Sequence, residues 1–285
     1  MRGDAAPVNR LALERAWRGL TCSNMRNLLF GLALLLGVPA QATSWTATYE
    51  LRAAGLRALE AVFIFDIDGP AYTVEVRTRS LGVVGLFATS SQRTVVEGVW
   101  QGDQARPRRY RAQGTFRGQP RVVTLDWRPD GQPVVSALEP SNIVETREEV
   151  GAGLLPGTVD ALTGLVQLSR VVARSGRCEA QTRLYDARRL TQVMVRTAGM
   201  EPVPEGLGAG APALRCVIET RLLGGIRADQ DQTRMREPVE TIAWVGRAAA
   251  DAPPLPFRIE LASRWWGRLQ ATLVRMEPTV AVAAR

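Results

Sequence analysis

Apolar and polar residues alternate along several segments of this 285-residue chain, and the alternation limits the folds that it can adopt. Within 72–77, tyrosine and valine alternate with threonine, glutamate and arginine, and the same period of two recurs at 123–127, 257–261 and 269–273. In an extended chain this period places the apolar side chains on one face and the polar side chains on the other. The pattern is typical of an antiparallel sheet that covers a core on one side.

Short clusters rich in glycine and proline, such as 68–70 and 128–131, separate the alternating segments. Glycine permits positive φ and proline fixes its own φ, so each cluster favours a chain reversal. Between these turns we predict strands near residues 45–54, 57–68, 71–79, 91–101, 106–117, 121–128, 181–186, 188–197, 214–223, 239–247, 255–264 and 268–276. Because a meander of this many strands must curl, we expect a mainly β fold with a strongly curved antiparallel sheet, either a half-barrel or an open barrel.

One segment departs from the period of two. Thr158 is predicted to cap a helix whose first turn contains Asp160, a position that suits the positive end of the helix dipole. Apolar residues then recur at helical spacing as far as Arg174, so we expect one amphipathic helix packed across the sheet as part of the core. Residues 129–157 and 199–213 are predicted to be long surface connections.

The longest apolar run, Leu28–Val38, lies near the N-terminus. It is too short for a membrane-spanning helix, which needs about 20 residues. The run follows Met25 and an arginine, and small residues follow it up to Ala42, as in a secretory signal. We predict that residues 1–42 are an N-terminal extension and signal peptide, with the true start at Met25 and cleavage after Ala42, and that the mature protein is periplasmic. The alternative is a buried helix of a cytosolic domain.

The mature chain is predicted to form a single β-rich domain, 43–277, followed by a flexible tail, 278–285. It retains two of the three cysteines, Cys178 and Cys216. An even pair in an oxidising compartment indicates a disulfide, and two separate buried thiols are the alternative.

The composition excludes several kinds of chemistry. The chain has no histidine, and all 36 of its basic residues are arginine. Histidine-based acid–base catalysis and lysine Schiff-base chemistry are therefore excluded. The formal net charge of +8, part of which lies in the predicted signal, is too mild to indicate nucleic-acid binding. Since no metal-ligand spacing or glycine-rich phosphate loop occurs, we expect neither a metal nor a cofactor.

An ordered series of residues runs along the chain and consists of Tyr110, 157–162, Cys178, 184–189, Cys216 and 256–260. This series resembles the exported bacterial proteins grouped as domain-of-unknown-function family 3108. The resemblance implies a periplasmic, β-rich protein without an assigned activity, and it supplies no catalytic residues. The aspartate-glycine-arginine turn of the family is Asp186-Ala187-Arg188 here, which leaves open whether position 187 still has positive φ.

A curved sheet encloses space that a ligand can occupy, and six apolar residues of the alternating segments are the predicted lining. They are Phe63, Phe65, Ile67, Val123, Leu125 and Trp127. We expect a binding module for an apolar or amphipathic ligand of the cell envelope, such as a lipid, by analogy with exported lipoprotein carriers. The alternative is a structural or interaction protein of the envelope that uses an Arg-rich face or a sheet edge. An enzyme ranks third, because no catalytic constellation is recognisable.

A second group of residues is predicted to contact anions or a membrane surface. It consists of Arg109, Arg111, Arg188, Arg189 and Trp266. The arginines around Tyr110 are alternatively the charges of an edge strand, which prevent unwanted pairing. Arg188 and Arg189 are alternatively solvated side chains that pair with Asp186. Trp266 suits a lipid–water interface, unless a bend at Gly267 packs it. The oligomeric state is left open.

Overall fold

The computed structural model of the chain describes residues 44–279, apart from 83–84, 86–88 and 264–266. The described residues belong to one compact unit, Ala42–Arg285. The predicted signal, Trp266 and the residues after 279 lie outside the described part.

The described chain is mostly β, with two helices and one 3₁₀ turn, Ala152–Leu154. The strands are β1 (Trp45–Ala53), β2 (Leu56–Asp66), β3 (Ala71–Ser80), β4 (Ser90–Gln101), β5 (Gln104–Phe116), β6 (Gln119–Trp127), β7 (Pro133–Glu139), β8 (Ala180–Tyr185), β9 (Leu190–Pro202), β10 (Pro212–Gly224), β11 (Val239–Gly246), β12 (Leu255–Ser263) and β13 (Gly267–Pro278). The helices are α1 (Ala161–Ser175) and α2 (Gln232–Arg236).

All thirteen strands form one antiparallel sheet, in the order β7-β6-β5-β4-β3-β2-β1-β13-β12-β11-β10-β9-β8. Two meanders, β1–β7 and β8–β13, are joined in the middle of the sheet by the pairing of β1 with β13. The edges are therefore β7 and β8, and the segment that connects them along the chain contains α1. The expected curved antiparallel sheet with one helix across it is confirmed.

Both segments predicted to be long surface connections contain strand residues. The segment 129–157 contains a strand, β7, and is therefore not a surface connection throughout. In the segment 199–213, residues 199–202 belong to β9 and residues 212–213 belong to β10. Val203 and Ala213 are buried in the core. β13 also includes Pro278, which pairs with Trp45, so the sheet extends into the first residue of the predicted tail.

The main core lies on the side of the sheet that faces α1. The alternation predicted for β3 is present, since Tyr72, Val74 and Val76 are buried between exposed or half-buried neighbours. The core draws on both meanders, with Phe65 and Val96 from the first, and Phe257 and Leu273 from the second.

The two edges of the sheet approach each other through side chains and not through strand pairing in the described residues. Leu125 of β6 packs in one buried cluster with Tyr185 of β8, Ala187 of the following turn and Leu190 of β9. The backbone of Val159 also bridges to the outer edge of β8, with its N–H donating to the Arg183 carbonyl at 3.0 Å and its carbonyl accepting from the Tyr185 N–H at 2.9 Å. The sheet therefore curves far enough for its two ends to share one core.

Helix α1 begins two residues later than predicted. Its N-cap is Asp160, whose carboxylate accepts from the N–H groups of Leu162 and Thr163, whereas Thr158 uses its hydroxyl on the Leu155 carbonyl. The helix ends at Ser175, because Gly176 adopts the left-handed conformation with φ 65°.

Candidate functional site

A cavity of about 710 Å³ lies between α1 and the side of β8, β9, β10 and β12 that faces the helix. Its apolar lining includes Leu165 and Val171 from the helix and Val195, Ile218 and Ile259 from the sheet. These five side chains are only half-buried, although they belong to the helix–sheet interface. The helix therefore does not fill the space above this part of the sheet.

The connections at the two ends of α1 explain why the gap persists. Before its N-terminus, Val159 is hydrogen-bonded to the edge of β8. After its C-terminus, a disulfide joins Cys178 to Cys216 on β10, with 5.9 Å between the Cα atoms. The helix is thus held to the sheet at both ends while its middle spans the cavity. The predicted disulfide is confirmed.

Polar side chains lie at the edge of the cavity. Gln167 of α1 accepts from the Ala105 N–H at 2.6 Å and donates to the Asp103 carbonyl at 2.9 Å, which ties the helix to the start of β5. Arg106 and Arg183 also line the cavity, and Arg183 donates to the Pro156 carbonyl at 2.9 Å. The cavity therefore combines apolar walls with amide and guanidinium groups, a combination that suits an amphipathic molecule.

A buried polar chain lies beside the cavity. Thr163, one of the lining residues, donates its hydroxyl to Asp160 at 2.6 Å and lies 2.9 Å from the Tyr72 hydroxyl. Burial raises the pKa of Asp160, and it also raises the pKa of Tyr72. Since Asp160 caps the helix and these groups bond one another, the chain serves to seat α1 on β3.

The six apolar residues predicted to line a ligand site lie elsewhere in the interior. Phe65 and Leu125 are fully buried, and Phe63 and Ile67 pack against the main core. Val123 and Trp127 pack around Leu125, and none of the six lines the cavity described above. The sequence contained one signal for this cavity, since Gly157, Val159, Ala161 and Leu184 of the resemblance motifs line it.

Arg188 has a different environment from the solvated one considered above. Its side chain is only 12 % exposed, and it donates to Glu145 at 2.9 Å and to the Glu139 carbonyl at 3.1 Å. The carboxylate of Asp186 accepts instead from the backbone N–H groups of Arg188 and Arg189. The interpretation that both arginines are solvated and pair with Asp186 was therefore wrong. Of these two side chains, only that of Arg189 is exposed. Burial lowers the pKa of Arg188.

Position 187 retains the conformation that glycine would favour. Ala187 has φ 71° and is almost completely buried in the cluster that joins the sheet edges. The Asn142 side chain donates to its carbonyl at 3.0 Å. The contacts of the turn thus hold an alanine in a region that L-residues rarely adopt.

The arginines around Tyr110 do not lie on a sheet edge, so the edge-strand interpretation was wrong. β5 pairs with β4 on one side and with β6 on the other. Arg109 pairs with Asp126 of β6, whose pKa is lowered by hydrogen bonds from Ser136 and Arg109 and by the nearby charge of Arg111. Arg109 and Arg111 therefore lie on the polar outer surface of the sheet, next to a carboxylate.

The described residues contain no group of three or more cysteine, aspartate or glutamate side chains placed to hold a metal ion. In addition, neither α1 nor α2 meets the length and hydropathy that a membrane-crossing helix requires.

The chain is similar to proteins whose function is unknown. A family model with the description "Protein of unknown function (DUF3108)" matches residues 46–274. A solved structure of a β-barrel-like protein from Brucella abortus, assigned to domain of unknown function DUF1849, shares 17 % identity and gives a TM-score of 0.50. That match covers 84 % of this chain and 98 % of the other, so it supports the fold alone. No curated protein matches the chain.

Proposed function

The chain belongs to the DUF3108 family, as the sequence motifs implied, and from this premise we propose that it binds an apolar or amphipathic ligand, such as a lipid, in the cavity between α1 and the sheet. The observation that carries the proposal is the unfilled space of about 710 Å³ at a helix–sheet interface. Ligand sites in proteins are mostly apolar clefts of about 300–1,000 Å³ with a few polar groups that orient the ligand.

The apolar walls support a ligand because they are only half-buried. Apolar surface that stays in contact with water is unfavourable, and a bound apolar molecule removes that surface from water. An acyl chain would complete the contacts of Val195, Ile218 and Ile259, while a polar head at the edge would meet Gln167 and Arg183. The buried Thr163 hydroxyl on the wall donates to Asp160, and that carboxylate also caps α1, so both groups hold the helix in place and we propose binding and not catalysis.

We further propose that the protein acts in the periplasm. Disulfides persist in oxidising compartments, and a disulfide joins Cys178 to Cys216. The apolar run that precedes Ala42 agrees with export.

The test compares two tryptophan substitutions on one strand. Val195→Trp adds bulk to the cavity wall, whereas Met194→Trp changes the adjacent side chain, which is 41 % exposed on the opposite face of β9. Each protein is purified from the periplasm and titrated with cis-parinaric acid, a fluorescent fatty acid, and co-purifying lipid is measured by native mass spectrometry.

We expect saturable binding to the wild type and to Met194→Trp, and at least about tenfold weaker binding to Val195→Trp, with all three melting as folded proteins. Equal binding by Val195→Trp, or a wild type that neither retains lipid nor binds the probe, would contradict the proposal. If Val195→Trp unfolds, Ile259→Phe serves as a milder filling variant at the same wall.

One observation favours a second candidate function, in which the protein binds an extended segment of an envelope partner. β8 is an edge strand, and only its Arg183 and Tyr185 backbone groups are bridged by Val159. The start of β8 is therefore open to strand addition at the mouth of the cavity. A protein that is free of lipid but retains a partner after purification, with the partner lost in Gln181→Pro, would favour this function over lipid binding.

A further inference from the structure

Two apolar residues protrude together from one turn of the molecule. Ile143 is 89 % exposed and Val144 is 73 % exposed, the highest values among the large apolar side chains of the described residues. Single exposed apolar residues are common on protein surfaces, but an adjacent pair with this exposure leaves a compact apolar tip in water.

The turn that presents this tip is held by several hydrogen bonds. The Glu145 N–H donates to the Ser141 carbonyl at 3.1 Å, and the Arg147 N–H donates to the Asn142 carbonyl at 3.0 Å. The Asn142 side chain is in turn anchored to Ala187. Directly after the tip, Glu145 is buried among arginines, which fixes one end of the turn. The tip is thus a fixed protrusion, and its two side chains do not fold back onto the core.

Further apolar and basic groups adjoin the tip. Arg121 donates to Glu145 at 2.5 Å and also lies over the ring of Phe116, with 5.9 Å between its guanidinium carbon and the ring centroid. Phe116 is 39 % exposed at the end of β5, and Arg117 lies over the same ring. We define the tip surface as Phe116, Arg117, Ile143 and Val144. No carboxylate among the described residues pairs with the guanidinium of Arg117.

Further apolar and basic side chains lie at the same end of the sheet as the tip surface. The ends of β1, β5 and β7 and the start of β9 lie at one end of the sheet, as the antiparallel pairings require. At this end, Leu56 at the start of β2 is 58 % exposed, and Arg189 directly before β9 is exposed. Apolar and positively charged side chains therefore recur at the turns of one end.

We propose that this end of the molecule docks on an anionic lipid surface, with Ile143 and Val144 inserted at the level of the headgroups and Arg117 and Arg189 against the phosphates. A protruding pair flanked by guanidinium groups suits a bilayer interface, which accepts apolar tips and attracts positive charge. A protein partner would need a pocket that receives the tip. The tip surface shares no residue with the cavity, so this inference goes beyond the proposed function and does not depend on it.

The test is sedimentation of the purified protein with vesicles of phosphatidylcholine alone and with vesicles containing phosphatidylglycerol. Wild type is expected to bind the anionic vesicles more tightly, with affinity that falls as salt rises. The double variant Ile143→Ser/Val144→Ser should bind at least about tenfold more weakly, because it loses the inserted apolar area. Arg117→Gln should reduce binding to the anionic vesicles only.

Val135→Ser is the matched control, because Val135 is 40 % exposed on β7 and outside the tip surface. It should bind vesicles like the wild type. All variants should melt like the wild type, since each changed side chain is exposed. The proposal is overturned if the wild type does not sediment with anionic vesicles, or if the double variant and Val135→Ser bind equally. Loss of a protein partner by the double variant, without any vesicle binding by the wild type, would assign the surface to a protein.

Discussion

At the scale of single residues, Glu145 is a carboxylate that three arginine side chains contact. Its carboxylate is only 10 % exposed and accepts from Arg121, Arg147 and Arg188. Burial by itself would raise the pKa of Glu145, but the hydrogen bonds from Arg147 and Arg121 and the charge of Arg188 outweigh it and lower the pKa to about 2. The carboxylate therefore neutralises arginines that would otherwise repel one another at the seam between the sheet edges.

We predict that Glu145→Gln lowers the free energy of unfolding by about 3 kcal/mol at pH 7. The folded pKa of about 2 lies below the ordinary value of 4.5, so the stabilisation is fully present above pH 4.5 and is lost as pH falls towards 2. The difference between wild type and variant should therefore shrink with acidification, because protonated Glu145 resembles glutamine. Urea unfolding at a series of pH values measures this difference.

Glu149→Gln is the control for this prediction, since Glu149 is an exposed residue of the same segment and its substitution removes the same charge. It should change the free energy of unfolding by no more than about 0.5 kcal/mol. A constant difference between wild type and Glu145→Gln from pH 7 to pH 2 would show that Glu145 has an ordinary pKa.

The environments of Ala187 and Arg188 depend on contacts with distant parts of the chain that the sequence alone does not reveal. The departure from the family turn at Ala187 was visible in the sequence, but its outcome depends on a buried methyl group and on Asn142, which is distant along the chain. The charge of Arg188 suggested an anion site, yet its partner is Glu145 of this chain. Such pairings are set by the approach of the sheet edges, which no local pattern encodes.

At the scale of elements, alternation predicted the strands that cover a core on one face and failed for β7. β7 is an edge strand that begins at Pro133, and Val135 within it is exposed, so it lacks a clean period of two. The arginine-rich β5 was predicted as a strand but placed at an edge, because strand order does not follow from the composition of one strand. For α1, the apolar stripe predicted the helix, but the N-cap is Asp160 and not Thr158, because the Asp160 carboxylate accepts from the first backbone N–H groups of the helix.

The disulfide links two elements, and its removal provides an element-scale prediction. Cys178 precedes β8 and Cys216 lies on β10, with a sequence separation of 38. Closing a loop of that length stabilises a fold by about 4 kcal/mol in the chain-entropy model, and measured values are often smaller. We predict that Cys178→Ser/Cys216→Ser lowers the free energy of unfolding by about 2–4 kcal/mol.

The reduced wild-type protein is the natural control for this double variant. It should unfold at the same urea concentration as the variant, because both lack only the cross-link. Hydrogen exchange should accelerate in β8 more than in β2, since β8 has a single strand neighbour and loses its covalent tie to β10. Unchanged stability on reduction would mean that the cross-link adds no constraint beyond that of the folded sheet.

At the scale of the whole molecule, the cavity results from an arrangement that sequence patterns do not show. Its walls come from α1, β8–β10 and β12, and its size depends on how far the helix stands from the sheet. The predicted lining residues were apolar and correctly assigned to the interior side, but they pack in or against the buried clusters of the core, and none of them lines this cavity. Periodicity distinguishes inside from outside, whereas it carries no information about which part of the inside remains empty.

The central pairing of β1 with β13 predicts that the two meanders unfold together. Leu273 of β13 is fully buried, pairs with Tyr49 of β1, and belongs to a core that draws on both meanders. Leu273→Ala should therefore cost about 2–5 kcal/mol, through lost burial and the cavity that remains. Val274→Ala, the adjacent position on the other face with 41 % exposure, should cost less than about 1 kcal/mol.

Hydrogen exchange of β2 and β11, one strand from each meander, should accelerate to the same extent in Leu273→Ala, because neither meander keeps its core without the other. Acceleration confined to β11 would mean that the second meander unfolds as an independent unit.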